Sequence, residues 1–137
     1  MTFRVHHPIF ARVYSRVSKS VESAGEADHR RRLLAELVGS VIEVGAGNGL
    51  NFPYYPSTVS EVIAVEPEPY LRERAKLAAR HSTVRISIVE GDAEHLPLEY
   101  TSVDAAVVSL VLCSVADQHA SLIEIRRVLR PGGELRF

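Results

Sequence analysis

The stretch Val41-Ile-Glu-Val-Gly-Ala-Gly-Asn-Gly49 runs from a short β-branched segment straight into glycines at 45, 47 and 49. Apolar β-branched residues side by side suit a strand covered on both faces. Glycine carries no Cβ, so the backbone behind such a strand can turn sharply and come close to a ligand. Open α/β sheets bind their ligands at this place, the C-terminal edge of the strands.

Similar runs follow at regular intervals. SVIEV at 40–44, EVIAV at 61–65, VRISIV at 84–89 and VDAAVVSLV at 103–111 each read as a buried strand. Their ends recur every ~20–25 residues, the spacing of βα units. Between them, Pro69–Arg80 carries Leu71, Ala75 and Ala78 on one helical face. Asp117 can cap a helix over 118–129 with Leu122, Ile125 and Leu129 facing inward. The expected class is α/β, a Rossmann-like doubly wound parallel sheet with helices on both faces.

Two helices are expected ahead of the first strand. One starts at Pro8, carries Ile9, Val13, Val17 and Val21 on one stripe, and is broken by Gly25. The second follows Asp28 as N-cap, buries Leu33, Leu34, Leu37 and Val38, and ends on Gly39 as its C-terminal cap. The whole reads as one domain over 1–137, with N-terminal helices at 1–39 and a cofactor-binding core at 40–137. At the other end Pro131-Gly-Gly133 reads as a turn, and Glu134–Phe137 opens a further strand at which the sequence stops. The expectation is a sheet incomplete at its C-terminus, through whose open edge two copies could pair.

Composition narrows the function classes. With 46% hydrophobic and 24% charged residues the chain reads as globular and folded, not disordered. One cysteine, Cys113, excludes an internal disulfide and a multi-cysteine zinc site. No apolar run approaches the ~20 residues of a membrane span, and MTFRVHHPIFARVYSRVS has no apolar signal core, so a cytoplasmic location is expected. A net charge of −1 predicts no general affinity for nucleic acid. Residues 1–32 are nonetheless basic, at +4, which reads as a solvated helix face or a site for an anionic partner.

The glycine spacing discriminates among nucleotide sites. A dinucleotide fingerprint counted from Gly45 needs a third glycine where Leu50 stands, and no GK[ST] follows to make a P-loop. The pattern is instead acidic-x-G-x-G-x-G, led by Glu43. The next strand ends in Val65-Glu66-Pro67, and an acid ~20 residues past a glycine loop is placed for ribose hydroxyls. That suits NAD as well as other adenosine ligands, and Glu66 could instead merely cap the helix near Pro69. The third strand ends in Glu90-Gly-Asp-Ala-Glu-His-Leu-Pro97, where Asp92 could accept an adenine amino hydrogen or form an ordinary Gly-Asp turn.

Together VIEVGAGNG, AVEPE, GDAEHLP and RVLRPGG, in this order over about residues 8–137, resemble the class I S-adenosylmethionine-dependent methyltransferases. The resemblance implies a seven-stranded sheet whose last two strands and their helix, which often shape the acceptor pocket, would follow Phe137. It implies that Gly45, Ala46, Gly47 and Gly49 line the methionine end of S-adenosylmethionine, and that Glu43 orders the loop or reaches the cofactor amine. Glu66, followed by Pro67, would hold the ribose, and Asp92 with Ala93 would face the adenine. The backbone of Ser109 and Leu110 would pass the methionine moiety, and Tyr14 would either close over the cofactor or pack into the core as a helix-face aromatic. NFPYYP and LVLCSV look most like the branch of the thiol methyltransferases and their bacterial relatives.

Methyl transfer from a sulfonium asks mainly for alignment and exclusion of water, so no universal catalytic residue is expected. His6, His7, His95 and His119 read as surface or capping residues, and Cys113 as a small buried hydrophobe. Tyr54 and Tyr55 could wall the acceptor site, or belong to a rigid turn between Pro53 and Pro56. The leading expectation is a small-molecule methyltransferase with no metal. The alternatives are a non-catalytic cofactor-binding or strand-edge interaction module, and an NAD-dependent oxidoreductase.

Overall fold

The computed structural model describes residues 24–109, 111 and 114–137. The helix expected over 8–24 lies outside these residues up to position 23, as do His6, His7, Tyr14, Leu110 and Cys113.

Five strands form one sheet: β1 (Gly39–Val44), β2 (Val59–Val65), β3 (Arg85–Val89), β4 (Val103–Val107) and β5 (Leu129–Arg136). Their order is β3-β2-β1-β4-β5, and every neighbouring pair is parallel. The sheet is therefore doubly wound, and the order reverses between β1 and β4. Helices α1 (Ala24–Leu34), α2 (Pro69–Ala79) and α3 (Gln118–Val128) complete the described fold.

Residues on a strand point alternately to its two faces. In β1, Val41 joins Leu33, Leu34 and Leu37 from α1 and the segment after it, Ala75 of α2 and Phe52. Ile42 and Val44 point the other way, to Ile125 and Val128 of α3. Both faces are thus covered, which is why β1 from Val41 to Val44 is apolar except at Glu43. The same alternation puts Glu43 on the Val41 side, where it meets Asn51 and Tyr55.

Several local expectations give way to tertiary contacts. Gly25 is the second residue of α1, and the helix it is expected to break lies outside the described residues. Asp28 is not an N-cap but a mid-helix residue paired with Arg31 at 2.8 Å. After α1 both Glu36, at φ 64°, and Gly39, at φ 75°, are in left-handed backbone, and Gly39 opens β1 instead of capping the helix. Val38, expected to be buried, is 57% exposed because the chain has already left the helical face. Leu122 is likewise exposed; α3 buries Ser121, Ile125 and Val128, and Leu129 has passed into β5. Asp117 does cap α3, accepting the Ala120 amide at 3.0 Å.

Strand β4 ends at Val107, so Ser109 follows the strand instead of terminating it. The Pro131-Gly-Gly turn sits inside β5 as a bulge: Val103 pairs with Leu129, while Ala105 pairs with Glu134. The β1-to-β2 crossover contains only a 3-10 turn, Phe52–Tyr54, with Pro53 at its start. No helix of the described residues is long and apolar enough to cross a membrane.

Candidate functional site

The glycine loop leaves the C-terminal end of β1 and is tied to the neighbouring strand. Gly45 and Ala46 both donate their amides to the Val65 carbonyl, at 2.8 and 3.0 Å. Gly45, Gly47 and Gly49 all have positive φ, at 71°, 57° and 84°. A Cβ on Gly45 would run into the Val111 methyls, and one on Gly49 would sit 2.6 Å from the Phe52 ring and 2.9 Å from Ala78. Conformation and space both demand glycine at these two positions.

Glu66 closes the loop from β2. Its Oε2 accepts the Gly47 amide at 2.8 Å and its Oε1 accepts the Glu68 amide at 2.9 Å. Burial pushes its carboxyl above the ordinary range, while those two amides and the Arg72 charge act in the opposite sense. The N-cap of α2 is Glu68, which faces the Tyr70 amide, so Glu66 is not the helix cap. Pro67 is exposed at the rim and its carbonyl accepts Arg72 Nη1 at 2.7 Å.

Glu43 sits behind the loop in a polar chain within an apolar layer. Its Oε1 accepts Asn51 Nδ2 and its Oε2 accepts Tyr55 Oη, both at 2.8 Å. Asn51 Oδ1 in turn accepts Arg30 Nη1 from α1 at 2.6 Å. Burial lifts the Glu43 carboxyl from its ordinary 4.5 to about 7, against the bonds from Tyr55 and Asn51 and the Arg30 charge. The Tyr55 hydroxyl is raised well above 10 by its own burial and then by Glu43. A hydroxyl both donates and accepts, so the Tyr55 contact serves either protonation state of Glu43.

Tyr55 therefore does not wall an acceptor site; it is 3% exposed and anchors Glu43. Tyr54 lies under the Arg31 guanidinium, 5.3 Å from the ring centre. It lines a groove of about 390 Å³ with Pro53, Leu50 and, from α2, Arg74 and Leu77. A second, smaller cavity of about 20 Å³ is lined by Arg30, Glu43, Gly45, Ala46, Asn48, Leu50, Asn51 and Ser109.

Asp92 lies past β3, exposed at the same sheet edge. Its Oδ1 accepts the Glu94 amide at 2.9 Å and lies 3.2 Å from His95 Nδ1. The Gly-Asp turn and a rim carboxylate are thus the same feature. Ala93 is buried beneath it, beside Val65 and Leu96. His95 and His119 are both exposed, as read from the sequence. Among the described residues no three His, Cys, Asp or Glu side chains are grouped to hold a metal.

Sequence reading thus brought Glu43, the three loop glycines, Ala46, Glu66, Asp92, Ala93 and Ser109 to one edge, and the structure places them there. It missed Arg30 and Asn51. Arg30 sat in a basic run that reads as solvated surface, and Asn51 carries no local signal beyond its place after the glycines.

A family model for a methyltransferase domain matches residues 42–137. This chain belongs to the class I methyltransferases. Among curated members, human thiol S-methyltransferase TMT1B is 33% identical over 119 residues, covering 79% of this chain and 48% of that protein. Human thiol S-methyltransferase TMT1A is 38% identical over 102 residues, covering 72% and 41%. A crystal structure from Thermotoga maritima, described as an S-adenosylmethionine-dependent methyltransferase and possible histamine N-methyltransferase, superposes with a TM-score of 0.75. It is 28% identical and covers 93% of this chain and 58% of that one. The chain thus spans somewhat under half the length of these curated methyltransferases.

Proposed function

We propose that residues 40–137 bind S-adenosylmethionine and that the protein transfers its methyl group to a small-molecule acceptor, with a thiol as the first class to test. The observation that carries this is the joint placement of Glu43, the glycine loop and Glu66, with Gly47 bonded directly to Glu66. The residues present fit the cofactor. A carboxylate has about four lone-pair positions, and backbone amides take two of those on Glu66, which leaves capacity for a ribose diol. Asp92 offers a rim carboxylate for the adenine amino group. When bound, the cofactor supplies a methyl group already activated on a sulfonium.

The chain's own residues then bind and orient. Gly45 and Gly49 keep the loop free of side chains, Glu66 fixes its height above the sheet, and Glu43 with Asn51 and Tyr55 supports it from behind. Such a site needs no proton shuttle for the transfer itself, and a thiol acceptor needs only to be presented as thiolate. The thiol class is suggested by the names of the human relatives and by the NFPYYP and LVLCSV segments.

Calorimetric titration with S-adenosylhomocysteine, with NADH as control, tests the cofactor. Binding of the first alone is expected; binding of NADH alone, or of neither by folded protein, removes the reading. Methylation of small alkyl and aryl thiols against phenols and amines, read by product mass, then tests the acceptor class.

A further inference from the structure

The connection from β3 to β4 carries Asp92 to the sheet edge, yet it contains neither a helix nor a strand of its own. Its internal backbone bonds are short-range: the His95 amide reaches the Asp92 carbonyl at 3.3 Å, and the Leu98 amide the Leu96 carbonyl at 2.8 Å. Such a segment takes its shape from outside, and α3 supplies it. Glu94 Oε1 accepts the Asp117 amide at 2.9 Å, just ahead of α3. Further along the helix, Glu124 Oε2 accepts the Leu96 amide at 2.8 Å. Arg127, the first residue of RVLRPGG, donates Nη1 to the Leu98 carbonyl at 2.8 Å and Nη2 to the Leu96 carbonyl at 3.0 Å. Its own carbonyl accepts the Thr101 amide at 3.0 Å. The guanidinium is held in turn by Glu124, with Nε on Oε1 at 2.7 Å and Nη2 on Oε2 at 2.8 Å. Both side chains are largely buried, 18% and 19% exposed.

We infer that Arg127 is a positioning residue for base recognition: locked to Glu124, it fixes the backbone of Leu96 and Leu98 and so aims Asp92 at the adenine amino group. This deepens the S-adenosylmethionine reading above and rests on it. Arg127 bonds to neither Asp92 nor Ala93, so it acts on the ligand only through the segment it holds. Asp92 Oδ1 is engaged by the Glu94 amide and His95 Nδ1, whereas Oδ2 takes no bond among the described residues. A rim carboxylate discriminates between bases only when its backbone is held in place by a supporting shell. Arginine suits that support because one planar group meets a carboxylate with two donors and still reaches two carbonyls. A lysine ammonium is a point charge without that fork.

The test compares S-adenosylhomocysteine with S-inosylhomocysteine, in which an oxo group replaces the adenine amino group, by calorimetric titration. Wild type should prefer the adenine ligand about tenfold or more, the range for a hydrogen bond to a charged group. Arg127→Gln should reduce that preference about fivefold or more while changing the inosine ligand less than about twofold. Arg127→Lys should restore part of the preference. If Arg127→Gln does not fold, Glu124→Gln is read in the same way, since it keeps one oxygen for the Leu96 amide and gives up the charged fork. Arg130→Gln is the control: it breaks the ion pair with Asp104 of β4, and should lower the melting temperature without altering the preference. Equal weakening of both ligands by Arg127→Gln, or no change in either, would overturn the inference. So would the same loss of preference in Arg130→Gln. Equal wild-type affinity for the two ligands would overturn the aiming of Asp92, and this inference with it, and leave the cofactor reading standing. Binding of neither ligand by folded wild-type protein would overturn both.

Discussion

The Glu66 carboxylate reaches the Gly47 amide at 2.8 Å across a separation of 19 residues. The end of one strand thereby holds the turn that follows its neighbour. Glycine loops are conformationally free in isolation, so their shape must be imposed by contacts of this kind. Here Val65 supplies the carbonyl that fixes the start of the loop, and Glu66 the carboxylate that fixes its middle.

Glu66→Ala should therefore do more than remove a ligand contact. It leaves the Gly47 and Glu68 amides without their acceptor, at a cost of about 1–3 kcal/mol each where water cannot replace it. The expected result is a lower urea midpoint together with loss of S-adenosylhomocysteine binding. Glu66→Gln, which keeps one acceptor oxygen, should recover part of the stability. A variant with unchanged stability would show that the loop holds its shape without Glu66.

Glu43 gives the protein a pH dependence of definite sign. Its carboxyl titrates at about 7 when folded, against an ordinary 4.5. The folded state therefore holds this proton more tightly than the unfolded chain. The stabilisation is fully present below about pH 4.5 and is lost as pH rises through about 7, and it amounts to about 3 kcal/mol. Asp104 and Glu124, whose carboxyls are lowered, run in the opposite sense, so the comparison must be with Glu43→Gln. The stability advantage of wild type over that variant should shrink between pH 5 and pH 8.5. A constant difference would mean that Glu43 stays charged when buried.

Tyr55→Phe separates packing from hydrogen bonding. The ring stays in the core, but the bond to Glu43 disappears, at about 1 kcal/mol. Because that bond lowers the Glu43 carboxyl, its removal should move the titration further up. The pH window of the preceding comparison should shift to higher pH in Tyr55→Phe. A shift the other way would contradict the assigned direction of the bond.

Two glycines with nearly equal φ make a paired test. Gly49 is at 84° and Gly132 at 80°. A Cβ at 49 meets the Phe52 ring and Ala78, whereas a Cβ at 132 meets nothing within 4 Å. Gly132→Ala should cost only the conformational penalty, about 1–2 kcal/mol. Gly49→Ala adds the collision and should cost about 3 kcal/mol or more. Thermal melts of the two variants decide it; equal losses would mean the Phe52 ring can move aside.

What the sequence made legible follows from which forces are local. The strands were readable because unbroken apolar runs leave no other use for them, and the loop because three glycines at alternate positions are costly anywhere else. Helix ends were not readable at Asp28 and Gly39, where the expected signals are present but tertiary contacts decide. Gly39 is a glycine because the Asp104 carboxylate occupies the place of its Cβ, a contact across 65 positions of sequence. The Arg30–Asn51–Glu43 chain was hidden for the same reason. Each residue looks ordinary alone, and only the β1 alternation, the 3-10 turn and α1 bring the three together.

The Asp104 contacts lie at the opposite end of the strands from the glycine loop. Its carboxylate takes the Ser40 amide at 2.8 Å and Arg130 at 2.7 Å, joining the start of β1, β4 and the bulge of β5. Nothing that the proposed ligand would touch is there. The sheet thus has a chemical end and a mechanical end, separated by the length of its strands. Substitutions at the mechanical end can reset how long the chain stays folded without redefining what it binds, so durability and specificity can drift independently in this scaffold.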